Sequence, residues 1–180
     1  MANYHRAYSN GGIYFFTVVT YERYPIFMQE SAIQLLESCF EKEKQVYPFV
    51  TNAMVILPDH IHTIWTLPDD DCDFSIRWQQ IKGNFSKLYN GNHATNKTES
   101  MARRREKGIW QRRFWEHAIR NQKDYNKHCD YIHYNPVKHG LVESPSLWKH
   151  SSFNIFVKNG FYNCDWGKTV NISLVEMDLE

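Results

Sequence analysis

A chain of 180 residues with 42% hydrophobic and 16% aromatic side chains is long enough to bury one substantial core, and reads as a single domain over residues 1–180. Its 21 Lys and Arg against 20 Asp and Glu leave a net charge of +1, which excludes a uniformly basic or acidic surface. No apolar run approaches the ~20 residues of a membrane span, Met1–Arg6 lacks a signal core, and widely spaced cysteines (Cys39, Cys72, Cys129, Cys164) suit reduced thiols in a cytoplasmic protein better than a disulfide framework.

Gly12–Thr20 is rich in β-branched and aromatic residues and predicts a strand. Ser31 suits the N-cap of a helix through about Gln45, whose apolar stripe is Ile33, Leu35, Leu36, Cys39 and Phe40. Phe49–Leu57 predicts a second strand, Pro58-Asp59 a tight connection, and His60–Leu67 a third strand. After Pro68 and the acidic run 69–71, Asp73 or Ser75 caps a second helix to about Tyr89, with Phe74, Trp78, Ile81, Phe85 and Leu88 on its core face. The stretch 90–107 is polar, then basic, and reads as a mobile loop inserted between elements. Ile109–Ile119 predicts a fourth strand and Lys123–Tyr134 a third helix, ended by Pro136, which disfavours helical geometry at Asn135. An extension over 141–180 is irregular, with short elements around 146–157. The order β-α-β-β-α-β plus a further helix is that of an α+β, ferredoxin-like (RRM-like) fold. It has an antiparallel sheet, two helices on one face and a core spanning about 4–155.

The residues with chemical potential lie in two segments. His60 and His62 are two apart in the third strand, so their side chains point to one face with bases ~6.6 Å apart, close enough to converge on a metal ion. Taken alone, such a pair is more often just a polar face. Tyr131 and Asn135 are four apart and share a helix face. An Asn before Pro is also explained as a helix cap, and Tyr131 as an ordinary amphipathic tyrosine. A phenol with a pKa near ~10 is a poor nucleophile unless assisted. A divalent ion on His60 and His62 would polarise a phosphodiester for attack by Tyr131, with Asn135 as a third oxygen ligand.

Charge is unevenly placed. Between Met101 and Lys127 there are nine Lys or Arg against three acids, interleaved with Trp110, Phe114 and Trp115, a pattern of a phosphate-backbone footprint. Such runs are also commonly a solvated face, and Trp110 and Trp115 read as core or sheet-face residues. The last five residues carry three acids.

These segments resemble the tyrosine transposases of the HUH endonuclease superfamily, above all the REP-associated tyrosine transposases of bacteria. The likeness rests on Gly11–Val18, Val55–Pro68, Phe74–Lys82, Ile109–Arg120 and Asp130–Gly140, in that order, and covers roughly residues 4–155. It implies that His60 and His62 bind Mg²⁺ or Mn²⁺ with Asn135 as third ligand, and that Tyr131 is the catalytic nucleophile. It also implies cleavage and rejoining of single-stranded DNA at REP hairpins, short palindromes with a tetranucleotide at the foot, through a 5′-phosphotyrosine and a free 3′-hydroxyl. Arg6, Gly11, Gly12, Lys82, Arg103, Arg104, Arg105, Arg112, Arg113 and Lys138 are the expected DNA contacts. His117, His128, His133 and His139 are expected at the surface or behind the ligands. The implied setting is cytoplasmic and nucleoid-associated, as a monomer or homodimer. Arg112 stands where the family has Pro, and the 90–107 stretch is longer than is typical. The alternative is a catalytically inactive hairpin DNA- or RNA-binding protein on the same fold.

Overall fold

The computed structural model describes residues 11–94 and 96–168, so Arg6 and the acidic C-terminal residues lie outside the described part. Its elements are β1 (Ile13–Val19), α1 (Glu30–Val46), β2 (Val50–Ile56), β3 (His60–Thr66), α2 (Phe74–Leu88), α3 (Glu99–Arg103), β4 (Trp115–Ala118), α4 (Gln122–Lys138) and α5 (Phe153–Lys158), with short 3-10 turns between. The strands form one antiparallel sheet in the order β2-β3-β1-β4, which puts the histidine strand in the interior.

Strand alternation divides the sheet into two faces. Tyr14, Phe16 and Val18 of β1, with Ile61 and Trp65 of β3, bury against α1 and α2. The Trp65 and Trp78 rings stack there at 4.4 Å. Beneath α2, Arg77 is buried with both guanidinium ends on the Asp71 carboxylate, at 3.0 and 2.6 Å. Such a bidentate pair satisfies a buried charge that would otherwise be costly. The other face carries Phe15, Val55 and Ile64, packed under Cys129, Tyr131 and Ile132 of α4. His60 and His62 have the parity of Ile64, so both turn toward α4.

Three expectations are corrected. First, α4 runs through Pro136 to Lys138 instead of ending near Tyr134. The helix tolerates the proline because Tyr134, Asn135 and Pro136 are all buried against the rest of the fold. What stops it is Gly140, at φ +65°, with Gly140 N–H donating to Val137 O and Leu141 N–H to Pro136 O, the two bonds of a Schellman cap. Second, only Trp115–Ala118 of the expected fourth strand pairs as a strand. The Thr20–Trp110 bridge lies two residues out of register with the Tyr14–Ala118 pairing. The slip falls between Gln111, whose N–H still donates to Val19 O at 2.9 Å, and Trp115, and the Gln111 and Arg112 carbonyls accept from Lys82 Nζ at 2.6 and 3.3 Å. Third, the 90–107 stretch is built, not merely a loop. Thr98 caps α3 by accepting from Met101 N–H, and Ala94 and Met101 are buried.

The extension also packs. Residues 150–152 lie along β2, with Ile56 N–H donating to His150 O (2.9 Å) and Ser152 N–H to Met54 O (2.8 Å), which covers that sheet edge. None of the helices among the described residues is long and apolar enough to cross a membrane.

Candidate metal and nucleophile site

The site forms where the last turns of α4 cross β3. Side chains at 131, 135 and 139 share one helical face, and the two ends of that stripe lie against the two histidines. The Tyr131 ring is 5.1 Å from the His62 ring, and the His139 ring is 5.2 Å from the His60 ring. Asn135 sits between them on the same face and is fully buried. The His60 and His62 rings are themselves 4.8 Å apart.

Each histidine is oriented from behind through Nδ1. His60 Nδ1 is 2.6 Å from Asp59 Oδ1, and His62 Nδ1 is 2.9 Å from Thr17 Oγ1. That leaves Nε2 of each ring as the nitrogen facing the site, the arrangement seen when imidazoles ligate metals. Burial holds the His62 pKa well below its usual value, reinforced by the neighbouring charges of His60, His139, Lys138 and Arg23. His62 is therefore neutral, the form that ligates. Burial works to raise the Asp59 carboxyl, but its hydrogen bond and attraction to His60, with Arg23 3.1 Å away, keep it net lowered and charged.

The donor set fits a divalent cation. His62 Nε2 and both amide atoms of Asn135 are buried and have no hydrogen-bond partner among the described residues. Buried polar atoms are rarely left so, because the desolvation goes uncompensated. A cation held by the two imidazoles and the amide oxygen would account for His62 Nε2 and Asn135 Oδ1. Tyr131 itself is 1% exposed, packed on Phe15, with Lys138 Nζ donating to its Oη at 3.4 Å. His139 is exposed, so the site meets solvent at that end.

Of the expected residues, His60, His62, Tyr131, Asn135 and Lys138 come together here, Lys138 as a neighbour of the phenol. Gly11 and Gly12 precede the opposite end of β1, since Ile13 pairs with Thr66 while Val19 pairs with His60. Arg103, Arg104, Arg105, Arg112 and Arg113 are exposed, and Lys82 is half-buried beside the 105–114 segment. His128 and His133 are buried, not at the surface. His117 and His128 both meet Asp124, at 2.8 and 3.2 Å, in a cluster separate from His60 and His62. Sequence reading missed Thr17 and Asp59 as supports, and placed His139 at the surface or behind the ligands without pairing it with His60. The signals were the cross-strand partner of His62, the residue preceding His60, and the i+8 position from Tyr131.

Comparison with known proteins identifies the family. Residues 9–135 match the family described as transposase IS200 like. The chain is 43% identical over 174 residues to a candidate REP-associated tyrosine transposase of Haemophilus influenzae, covering 97% of this chain and 98% of that protein. It is 45% identical over 170 residues to the REP-associated tyrosine transposase of Escherichia coli, covering 94% of this chain and 93% of that one. A solved structure of a REP-associated tyrosine transposase bound to a REP hairpin superposes with a TM-score of 0.78 at 42% identity, covering all of both chains.

Proposed function

This chain belongs to the IS200-like transposase family, and on that footing we propose that it cleaves and rejoins single-stranded DNA beside REP-type hairpins, with Tyr131 as the nucleophile. The observation that carries this reading is the stripe Tyr131–Asn135–His139 laid along His62 and His60, which gathers a phenol, an amide and three imidazoles.

In the cleavage step Tyr131 Oη forms a bond to phosphorus and the P–O3′ bond breaks. The departing oxygen takes a proton and becomes a 3′-hydroxyl, while the 5′-phosphate stays on Tyr131. Attack by a 3′-hydroxyl on that phosphotyrosine reverses the exchange, so joining needs no ATP. A divalent ion, Mg²⁺ or Mn²⁺, on His60, His62 and Asn135 would draw charge from the phosphate under attack. Lys138 Nζ, donating to Tyr131 Oη at 3.4 Å, holds a cation beside the attacking oxygen. Asp59 and Thr17 fix the two imidazoles so that Nε2 of each faces the phosphate. Because Tyr131 is buried, its phenol must be uncovered before a strand reaches it.

The test is separation of binding from cleavage. With a REP-type hairpin bearing single-stranded flanks, His60→Ala is expected to abolish cleavage in Mg²⁺ or Mn²⁺ while a band-shift assay shows binding intact. Equal loss of both would make His60 a structural residue and overturn the assignment.

A further inference from the structure

At the same end of the sheet as His60, but on the α2 face, lies a cavity of about 460 Å³, within the ~300–1,000 Å³ range of small-ligand sites. One wall is α2 and the other is the 105–114 segment. The inner wall is apolar, made by Phe114 and edges of the core residues Trp78 and Trp110. Lys82, Lys87, Arg105, Lys107 and Arg112 line it as well, against the single carboxylate of Glu106. An apolar slot edged by an excess of cations is complementary to a flat ring joined to an anion.

Gly83 adds a second observation. It stands mid-helix in α2, where glycine costs ~1 kcal/mol relative to alanine. No packing contact calls for it, since a Cβ there would meet nothing within 4 Å. Gln79, Lys82, Gly83, Ser86 and Lys87 recur at i, i+3, i+4, i+7 and i+8, so all five share the helix face that lines the cavity. The glycine keeps that face low.

The cavity is close to the nucleophile site. Val19 pairs with His60 on one side of β1, and its carbonyl accepts from Gln111 N–H at 2.9 Å on the other. Two strand spacings of ~4.8 Å separate the His60 backbone from the cavity wall, a span covered by a few nucleotides at ~3.4 Å each.

We propose that this cavity takes one unstacked nucleobase, with its flanking phosphates on the cationic rim, from the single-stranded DNA next to the hairpin. The assignment rests on the proposed function. A base inserted against Phe114 would fix where the strand rounds the sheet end, and so which phosphate meets Tyr131.

Fluorescence anisotropy with the full chain, without divalent metal, tests it using two probes: a REP-type hairpin with single-stranded flanks and the same stem closed flush. Gly83→Leu fills the slot and is expected to keep or raise Tm. It is expected to weaken binding of the flanked hairpin by about tenfold, the scale of one lost stacking contact, and to leave the flush hairpin unchanged. Lys87→Glu with Arg105→Glu is expected to weaken the flanked hairpin and to flatten its salt dependence. If Gly83→Leu binds the flanked hairpin as tightly as the wild type, the base pocket is wrong. Equal weakening of both probes also overturns it, because the cavity then reads stem phosphates. If the wild type binds neither hairpin, the proposed function itself fails.

Discussion

Thr17 and His62 are direct partners across the β1–β3 ladder, and Thr17 Oγ1 lies 2.9 Å from His62 Nδ1. With Nδ1 donating to the threonine hydroxyl, His62 Nε2 would keep its lone pair for a cation. Thr17→Val keeps the shape and removes the acceptor. It is expected to lower Mn²⁺ affinity by about 10–100-fold and fold stability by about 1–2 kcal/mol, with Thr17→Ser restoring the affinity. Titration calorimetry with Mn²⁺ measures the first effect. Unchanged affinity in Thr17→Val would remove the threonine from the site.

Asn135 separates a ligand from a helix cap. Both amide atoms are buried without a partner among the described residues, which disfavours the metal-free fold. Asn135→Ala is therefore expected to leave the metal-free Tm unchanged or higher while Mn²⁺ affinity falls by on the order of tenfold or more. Loss of thermal stability with unchanged metal affinity would assign Asn135 a structural role.

The elements carrying the chemistry were legible because their signals are local. Alternation along His60–Thr66 fixes which face the histidines share, and the spacing of Tyr131 and Asn135 fixes theirs. The helix end was misjudged because Pro136 and Gly140 both carry stop signals, and burial of residues 134–136 decides between them. Nothing local reveals that the register slips after Gln111, where the Gln111 and Arg112 carbonyls accept from Lys82, since those contacts span 29 and 30 residues. Thr17 as partner of His62 depends on strand register, which a separation of 45 positions conceals.

His133 makes the fold acid-sensitive. It is buried between Ser152 Oγ (2.8 Å) and Tyr162 Oη (3.3 Å), and burial pushes its pKa down to about 3. The unfolded chain, with a histidine pKa near ~6.5, takes up the proton first. Stability from this residue is thus fully present above about pH 6.5 and is lost as pH falls toward 3, by on the order of 4 kcal/mol across the window. Denaturant unfolding of His133→Gln is expected to show a shallower loss between these limits. Parallel curves for the two proteins would assign the acid sensitivity elsewhere.

Asp124 ties β4 to the start of α4. One carboxylate receives His117 Nε2 at 2.8 Å and Arg120 N–H at 3.0 Å, and lies 3.2 Å from His128 Nδ1. Asp124→Ala strands His117 Nε2 and the Arg120 N–H, while His128 Nδ1 keeps the residue-124 carbonyl at 2.8 Å, and is expected to cost about 2–3 kcal/mol, read as a lower urea midpoint. A change below ~0.5 kcal/mol would place Asp124 among ordinary surface residues.

The central claim is that Tyr131 Oη forms the bond to DNA. The direct measurement is recovery of a covalent protein–oligonucleotide adduct after reaction of a flanked REP-type hairpin in Mn²⁺, with the modified peptide located by mass spectrometry. The account predicts an adduct on Tyr131 in the wild type and none in Tyr131→Phe, which still binds the hairpin. An adduct of undiminished yield in Tyr131→Phe, or one mapped to a different tyrosine, would contradict it.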